Sequence, residues 1–533
     1  MPVLAGWLTG EQVPQEFIEQ TLTAMGDVLG RYGGQPARTV QPGAGLIAFS
    51  DAGYAMQRND DPPVLDWVPD RRTLVYRRPL SGAHALYYIE DWPAQGNLLF
   101  ASEIKALLAV GVPRRLHVAA LDALLRYDFI PAPWTAFKDI RVVPAGSILR
   151  WQRAKTVVNA STDYRLDVPL AQNDIRDQLH TLLSEASAGM LPPHEQLVAL
   201  TGGDNFSALS VLLAAQQTTT PFTIAALGYS KKTRSKAWKN AERVATTCQR
   251  PFLEIIGLDQ PEFWAATLAG LEAPSVDTRP LALHQLLHTV AVETEARIAI
   301  SGLGAHILTG TMLASPVEPP TADTEQPGVL SRYSSALSGR TDKRPAQIWS
   351  HDVAEALQKE EAWEETLHAR KLARRAEQFA DKKQGCYYLD LHLRLPDLIV
   401  NTVQQLATQE RMVVRSPYLN THVMDMLTQL PSTLDDGTSK DTLLAQLAQQ
   451  YMPDSMKSSA TLPLVAPTTS LLNIEDSDLL QQTLSPEALK ATGIFDPQFI
   501  KELLKQQRKD AFTRELLLVF TTQLLSQLFG LEL

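Results

Sequence analysis

Cysteine is nearly absent: Cys248 and Cys386 are the only two in 533 residues. They lie far apart with no CxxC spacing, which excludes a disulfide framework and a cysteine zinc site. No stretch reaches about 18 uninterrupted apolar residues, and no basic segment followed by an apolar one opens the chain. The expectation is therefore a cytoplasmic, unanchored protein. Positive charge is also in deficit. With 49 Lys and Arg against 59 Asp and Glu, the formal charge is -10, which argues against nucleic acid or an anionic membrane as the main partner. No internal repeat is visible.

What is present is an ordinary globular composition, 44 % hydrophobic and 20 % charged, in a chain too long for one core. Two domains are expected, over residues 1–165 and 166–533. The first carries short β-like runs, LIAFS (46–50), TLVYRR (73–78), ALYYI (85–89) and NLLFAS (97–102), broken by Gly, Pro and Asp turns. With a helix over 102–109 and the strand SILRW after Pro144-Ala145-Gly146, this predicts an α+β domain with a sheet of antiparallel hairpins.

The second domain is organised around LVALTGGDNFSALSVLL (197–213), which reads as strand, glycine turn, helix. Such a junction gathers free backbone N–H groups and the positive end of a helix dipole at one spot, a ready anion site. Strand-like runs at 221–230, 251–258 and 297–304 alternate with helical ones at 173–188, 240–249 and 279–296. This alternation predicts a parallel, doubly wound α/β sheet that binds ligands at its strand C-termini. Gly202-Gly203 and Gly302-Gly304 fall on that rim.

The run from Asn97 to Trp151 closely resembles the end of the glutaminase domain of asparagine synthetases and of relatives such as β-lactam synthetases and lasso-peptide cyclases. Arg78, Gly82 and Leu86–Tyr88 fit the strand pair before it. TGGDNFS (201–207) is similar to the family's pyrophosphate loop, LEAPSV (271–276) to its Asp-Glu-Pro segment, and SGLGAHILTG (301–310) to its Ser-Gly-Glu-Gly-Ala-Asp-Glu segment. Residues 395–420, 459–467 and 484–504 follow the family order to the C-terminal helices. The resemblance implies an Ntn-type glutaminase-like domain followed by a PP-loop synthetase domain. It also implies ATP and Mg²⁺ as the cofactors of active members, which activate a carboxylate as an acyl-adenylate.

Family glutaminases use an exposed N-terminal cysteine as nucleophile. This chain opens Met-Pro and has no cysteine before Cys248, so the resemblance implies a glutaminase fold without glutaminase activity. In the pyrophosphate loop Thr201, Gly202, Gly203 and Ser207 keep the pattern, but the loop aspartate is Asn205 and the next serine is Phe206. Asp204 is one position early, on a turn where successive side chains point different ways. In the second loop Ser301, Gly302 and Gly304 remain, while the family's Glu, Asp and Glu are Leu303, His306 and Ile307. Lys236-Ala237 stand for an Asp-Glu pair. Thr402, Gln404 and Gln405 replace Lys, Asp and Arg, and Thr461 replaces the catalytic lysine. Arg415, Pro417 and Leu419, residues of turns and packing, are retained. No metal ligand set survives. Each lost preorganised charge typically costs about 10²–10³ in rate, so the joint loss leaves little adenylation.

Three other segments carry expectations. Residues 313–346 read as a mobile surface loop, 355–384 as one long exposed helix, and 515–533 as a packed apolar helix that extends toward a partner surface. The first reading is a non-catalytic structural or regulatory subunit in peptide or natural-product biosynthesis, with a protein partner or a second copy of itself and a peptide as the substrate class. The second is an ATP-dependent amide ligase working through Thr201, Asp204, Ser207, Ser301 and His306. A third is a module that keeps the cradle for another anion.

Overall fold

The computed structural model describes residues 3–11, 13–50, 64–166, 174–191, 196–229, 236–257, 263–310, 328–338, 346–452, 477–505 and 513–533. The N-terminal half contains two antiparallel sheets where one was expected. The six-stranded sheet runs β2 (Gln35–Gln41), β3 (Ala44–Ser50), β1 (Val3–Leu8), β7 (Leu98–Ala101), β6 (Tyr87–Glu90) and β8 (Arg141–Val142). The four-stranded sheet runs β10 (Lys155–Ala160), β9 (Ser147–Gln152), β5 (Thr73–Arg77) and β4 (Val64–Val68). Side chains alternate along a strand, so β1, apolar throughout, feeds two cores. Leu4 and Leu8 pack with Tyr76, Phe100 and Trp151 between the sheets, and Val3, Ala5 and Trp7 face the Gln15–Leu29 helix on the other side.

The C-terminal half contains the expected parallel sheet, five strands in the order β13 (Phe252–Ile256), β12 (Thr223–Gly228), β11 (Leu197–Leu200), β14 (Ile298–Ile300) and β15 (Val413–Arg415). Strand order reverses next to β11, so β11 and β14 leave the sheet side by side, and the two glycine segments that follow them meet. This is the switch-point crevice of an open α/β sheet.

One expectation about a peripheral segment is overturned, and a second is corrected over the part that is described. Residues 355–384 form several elements, with helices at His351–Lys359, Leu367–Glu377 and Lys382–Leu389 and a 3₁₀ turn at Trp363–Glu365. Trp363, Ala369, Leu372 and Ala376 are buried, so the charged pattern covers only one face. Within 313–346, residues Val329–Ser338 are a helix that buries Val329 and Tyr333, and 313–327 and 339–345 lie outside the described residues. The Thr513–Phe529 helix is packed against its own chain: Leu516–Phe520, Leu524 and Leu525 join the core that contains β1.

The halves are tied by buried and partly buried polar contacts. Glu272, 1 % exposed, accepts the amides of Ile104 and Lys105, each at 2.8 Å, and so caps a helix of the other half. Gln404 accepts the His84 amide at 2.8 Å, and Gln405 donates to Tyr87 Oη at 2.8 Å. Asp397 accepts the Ala132 amide at 2.8 Å and lies 3.7 Å from Arg78. Burial, opposed by Arg78 and that amide, raises Asp397 to about 6. Gly82 (φ +84°) lies so close to Pro396 that a Cβ would stand 2.2 Å from the proline's Cβ. Pro396 itself interrupts helical bonding, and Asp390–Val400 take a wider π-type turn before the Asn401–Gln409 helix.

Candidate functional site

Where β11 ends, the chain turns through Thr201, Gly202 and Gly203, the last in the left-handed region at φ +75°, and enters the Asn205–Gln217 helix. Asp204 is the helix cap. Its carboxylate accepts the amides of Phe206 and Ser207, each at 2.9 Å, and the Ser207 hydroxyl at 2.6 Å. The carboxylate has therefore turned onto the helix amino end, where the dipole favours negative charge.

The loop amides are engaged in the same way. Gly203 N donates to Thr201 Oγ1 at 3.1 Å and Gly202 N to Ser207 Oγ at 3.3 Å, while the two hydroxyls lie 3.0 Å apart. Asn240 Nδ2 reaches the Gly203 carbonyl at 3.1 Å. The loop thus folds on itself, its own hydroxyls and carboxylate taking the donors that would face an anion.

Phe206 fills the centre. It is 4 % exposed, stands edge-on to His306 with ring centroids 4.4 Å apart, and contacts Tyr418 at 6.3 Å. Tyr418 Oη donates to the Phe206 carbonyl at 3.1 Å. Asn205 is buried beside it, and its Oδ1 has no hydrogen-bond partner among the described residues.

The second corner follows β14. Ser301 Oγ accepts the Leu303 amide at 3.3 Å, and Ser416 Oγ donates to the Leu303 carbonyl at 2.7 Å. Gly304 (φ +88°) opens the short Ala305–Leu308 helix. Gly302 abuts the first corner, where a Cβ would stand 2.7 Å from Ser207 N. His306 Nε2 lies 3.9 Å from Asp204 Oδ1, and its Nδ1 is buried with no partner among the described residues. Burial, with Arg394 adding to it, outweighs Asp204 and Asp441 and holds the His306 imidazole below its ordinary pKa. The ring is therefore neutral near pH 7.

The structure thus brings together Thr201 to Ser207, Ser301, Gly302, Gly304 and His306. It does not bring Thr402 to them. Thr402 lines a cavity of about 90 Å³ with Tyr87, Glu272, Asn401 and Gln405, at the junction of the halves. Lys236 and Ala237 begin a helix, and Thr461 lies outside the described residues. Tyr418, Asn240 and Ser416 escaped the sequence reading because only the tertiary fold brings them to the loop. The Asp204 cap did carry a local signal, an aspartate at the junction of a turn and an apolar-periodic helix.

Family comparison accounts for this layout. The asparagine synthase model matches residues 195–527, and the glutamine amidotransferase domain model matches residues 65–164. The chain belongs to the asparagine synthase family. No curated protein matches it. Among solved structures, an NMN synthetase from Francisella tularensis is 14 % identical over 46 % of this chain and 97 % of that one, with a TM-score of 0.19, too loose a superposition to bear on fold or chemistry. Asparagine synthases are ATP-using amidating ligases that work with Mg²⁺.

The residues of this asparagine synthase corner do not fit that group. Asp204 is spent on a cap, the glycine amides are taken by internal hydroxyls, and the Phe206 ring, which offers no hydrogen bond, fills the space between the corners. Among the described residues there is no group of three or more His, Cys, Asp or Glu able to hold a metal. None of their helices is long and apolar enough to cross a membrane.

Proposed function

We propose that this asparagine synthase family member has lost glutamine hydrolysis and ATP-dependent amidation and acts as a structural or regulatory subunit beside a protein partner, in peptide or natural-product biosynthesis. The observation that carries the reading is Asp204: the acidic side chain next to the glycines bonds two amides and a hydroxyl of its own loop. A Mg²⁺–pyrophosphate unit would have to break this set and then displace Phe206. Gln404 and Gln405, which replace an Asp and an Arg of the family pattern, support the same view, since they hold the halves together.

Titration of the full chain with Mg·ATP tests the proposal. The expected result is no saturable heat, no thermal stabilisation and no ATP–pyrophosphate exchange with carboxylic substrates. A shift approaching the roughly 2.7 kcal/mol that a true ligand gives at about 100-fold its Kd would overturn it. The mass of the complex isolated from the native source tests the partner half. One observation favours the ligase as second reading: Asp204 and His306 approach each other across the two corners to 3.9 Å, and the Thr201 and Ser207 hydroxyls survive beside them. Exchange activity abolished by Ser207→Ala would support it.

A further inference from the structure

Away from the glycine corners, a cleft of about 590 Å³ opens between the four-stranded sheet and the Leu367–Glu377 helix. None of the corner residues lines it. Its volume lies in the range of small-molecule sites, about 300–1,000 Å³.

One wall carries Pro133 and Trp134, partly exposed, with Tyr88 and Pro144 buried, all from the N-terminal half. Trp134 is held in place by the His117 ring, at a centroid distance of 4.6 Å. The facing wall is one side of the helix, where His368, Lys371, Leu372 and Arg375 recur at helical spacing. Thr366 caps that helix by accepting the Ala369 amide, and the Leu367 and His368 amides before it have no acceptor within the helix.

The charge in the cleft is unbalanced. Its two acids are Asp163 and Glu361. Asp163 is already paired, accepting from His392 Nε2 at 2.9 Å and from Tyr388 Oη at 3.3 Å, and Glu361 sits exposed on the rim. Arg141 leans out to Glu90 at 3.3 Å. Around His368, burial first and then the basic neighbours His392 and Lys371 hold the imidazole down to about 4, so it meets a ligand as a neutral ring beside the Lys371 charge. Two walls of opposite character, one aromatic and one cationic, define what fits between them.

We propose that this cleft binds a small organic anion, its phosphate or carboxylate against the amino end of the Leu367–Glu377 helix with His368 and Lys371, and its planar or apolar body over Trp134. The inference does not depend on whether the glycine corners bind nucleotide.

Calorimetric titration of the full-length protein with phenyl phosphate, benzoate, inorganic phosphate and phenol tests it. The expected result is saturable binding of phenyl phosphate or benzoate, the tighter of the two naming the headgroup, with inorganic phosphate and phenol weaker by about tenfold or more. Lys371→Glu should weaken binding about tenfold or more, while Lys359→Glu, exposed on the preceding helix, leaves it unchanged. Lys371 is itself exposed, so its variant is expected to fold, and its unfolding curve is the check. Absence of saturable binding by both aromatic anions would overturn the inference, as would inorganic phosphate binding as tightly as either, or equal affinity in the Lys371 variant.

Discussion

Restoring the family letters at the first corner should damage the protein before it revives any chemistry. In Asn205→Asp/Phe206→Ser, the serine empties a site where a ring 4 % exposed packs against His306 and Tyr418, and buried Phe truncations cost about 3–5 kcal/mol. The aspartate puts a carboxylate on a side chain 8 % exposed, next to the Asp204 charge, where the Arg394 charge that acts on His306 is already paired with Asp390. An unpaired buried charge adds about 2 kcal/mol or takes up a proton instead. The two neighbours couple, so their sum of about 5–7 kcal/mol is an upper figure, yet it is comparable to the whole stability of a domain, about 5–15 kcal/mol.

Urea unfolding followed by tryptophan fluorescence, with and without Mg·ATP, measures the loss. Asn205→Asp alone gives a sign test. Burial raises the folded carboxyl above its unfolded value of about 3.9, so the deficit is full above the folded pKa and shrinks as pH falls below it. A double variant within about 1 kcal/mol of the parent, with new Mg·ATP affinity, would refute the account of a corner committed to packing.

Lys440 supplies a pH-dependent test elsewhere. It is 3 % exposed, its ammonium meets only the Leu427 carbonyl at 2.6 Å and the Tyr387 ring at 4.9 Å among the contacts described, and burial lowers its pKa from 10.5 to about 7. The unfolded chain therefore holds the extra proton between those values, so stability should rise with pH from about 7 to about 10.5. Lys440→Met should remove that slope and stabilise at neutral pH by about 2 kcal/mol, the shift's nominal 5 less what the carbonyl and ring return; unchanged melting with pH in the parent would refute this. Glu272→Ala should cost about 3 kcal/mol by leaving the Ile104 and Lys105 amides without their carboxylate acceptor, while Lys105 keeps the Ala269 carbonyl and Glu103. It should also split the thermal transition or expose the junction to protease, and a single unshifted transition would count against the cap across the halves.

The sequence revealed the strand–turn–helix at 197–213 and the parallel order around it, because apolar runs bounded by glycine are local signals. Continuous burial of β1 on both faces hid its alternation, and β2, exposed along most of its length, offered no apolar pattern to read. Two sheets could not be told from one, since strand pairing is a long-range property. The charged stretch 355–384 misled for a physical reason: Trp363 and Thr366 break it, and its buried alanines look neutral in any periodicity. Loss of family acids at 205, 303, 306 and 307 was readable letter by letter. The new partners of other replaced positions were not: Gln404 and Gln405 bond to His84 and Tyr87, more than 300 positions away in sequence.

Residues 513–533 complete the hydrophobic interior of the N-terminal half. Phe529 stands edge-on to Phe137, the Leu116 amide donates to the Glu532 carbonyl, and the Glu532 amide returns a bond to Arg114. During synthesis, strands from the first hundred residues must therefore wait on the ribosome with one side uncovered until a helix encoded some four hundred codons later arrives. Removal of residues 513–533 should therefore cost the N-terminal half its packing as well as the helix itself.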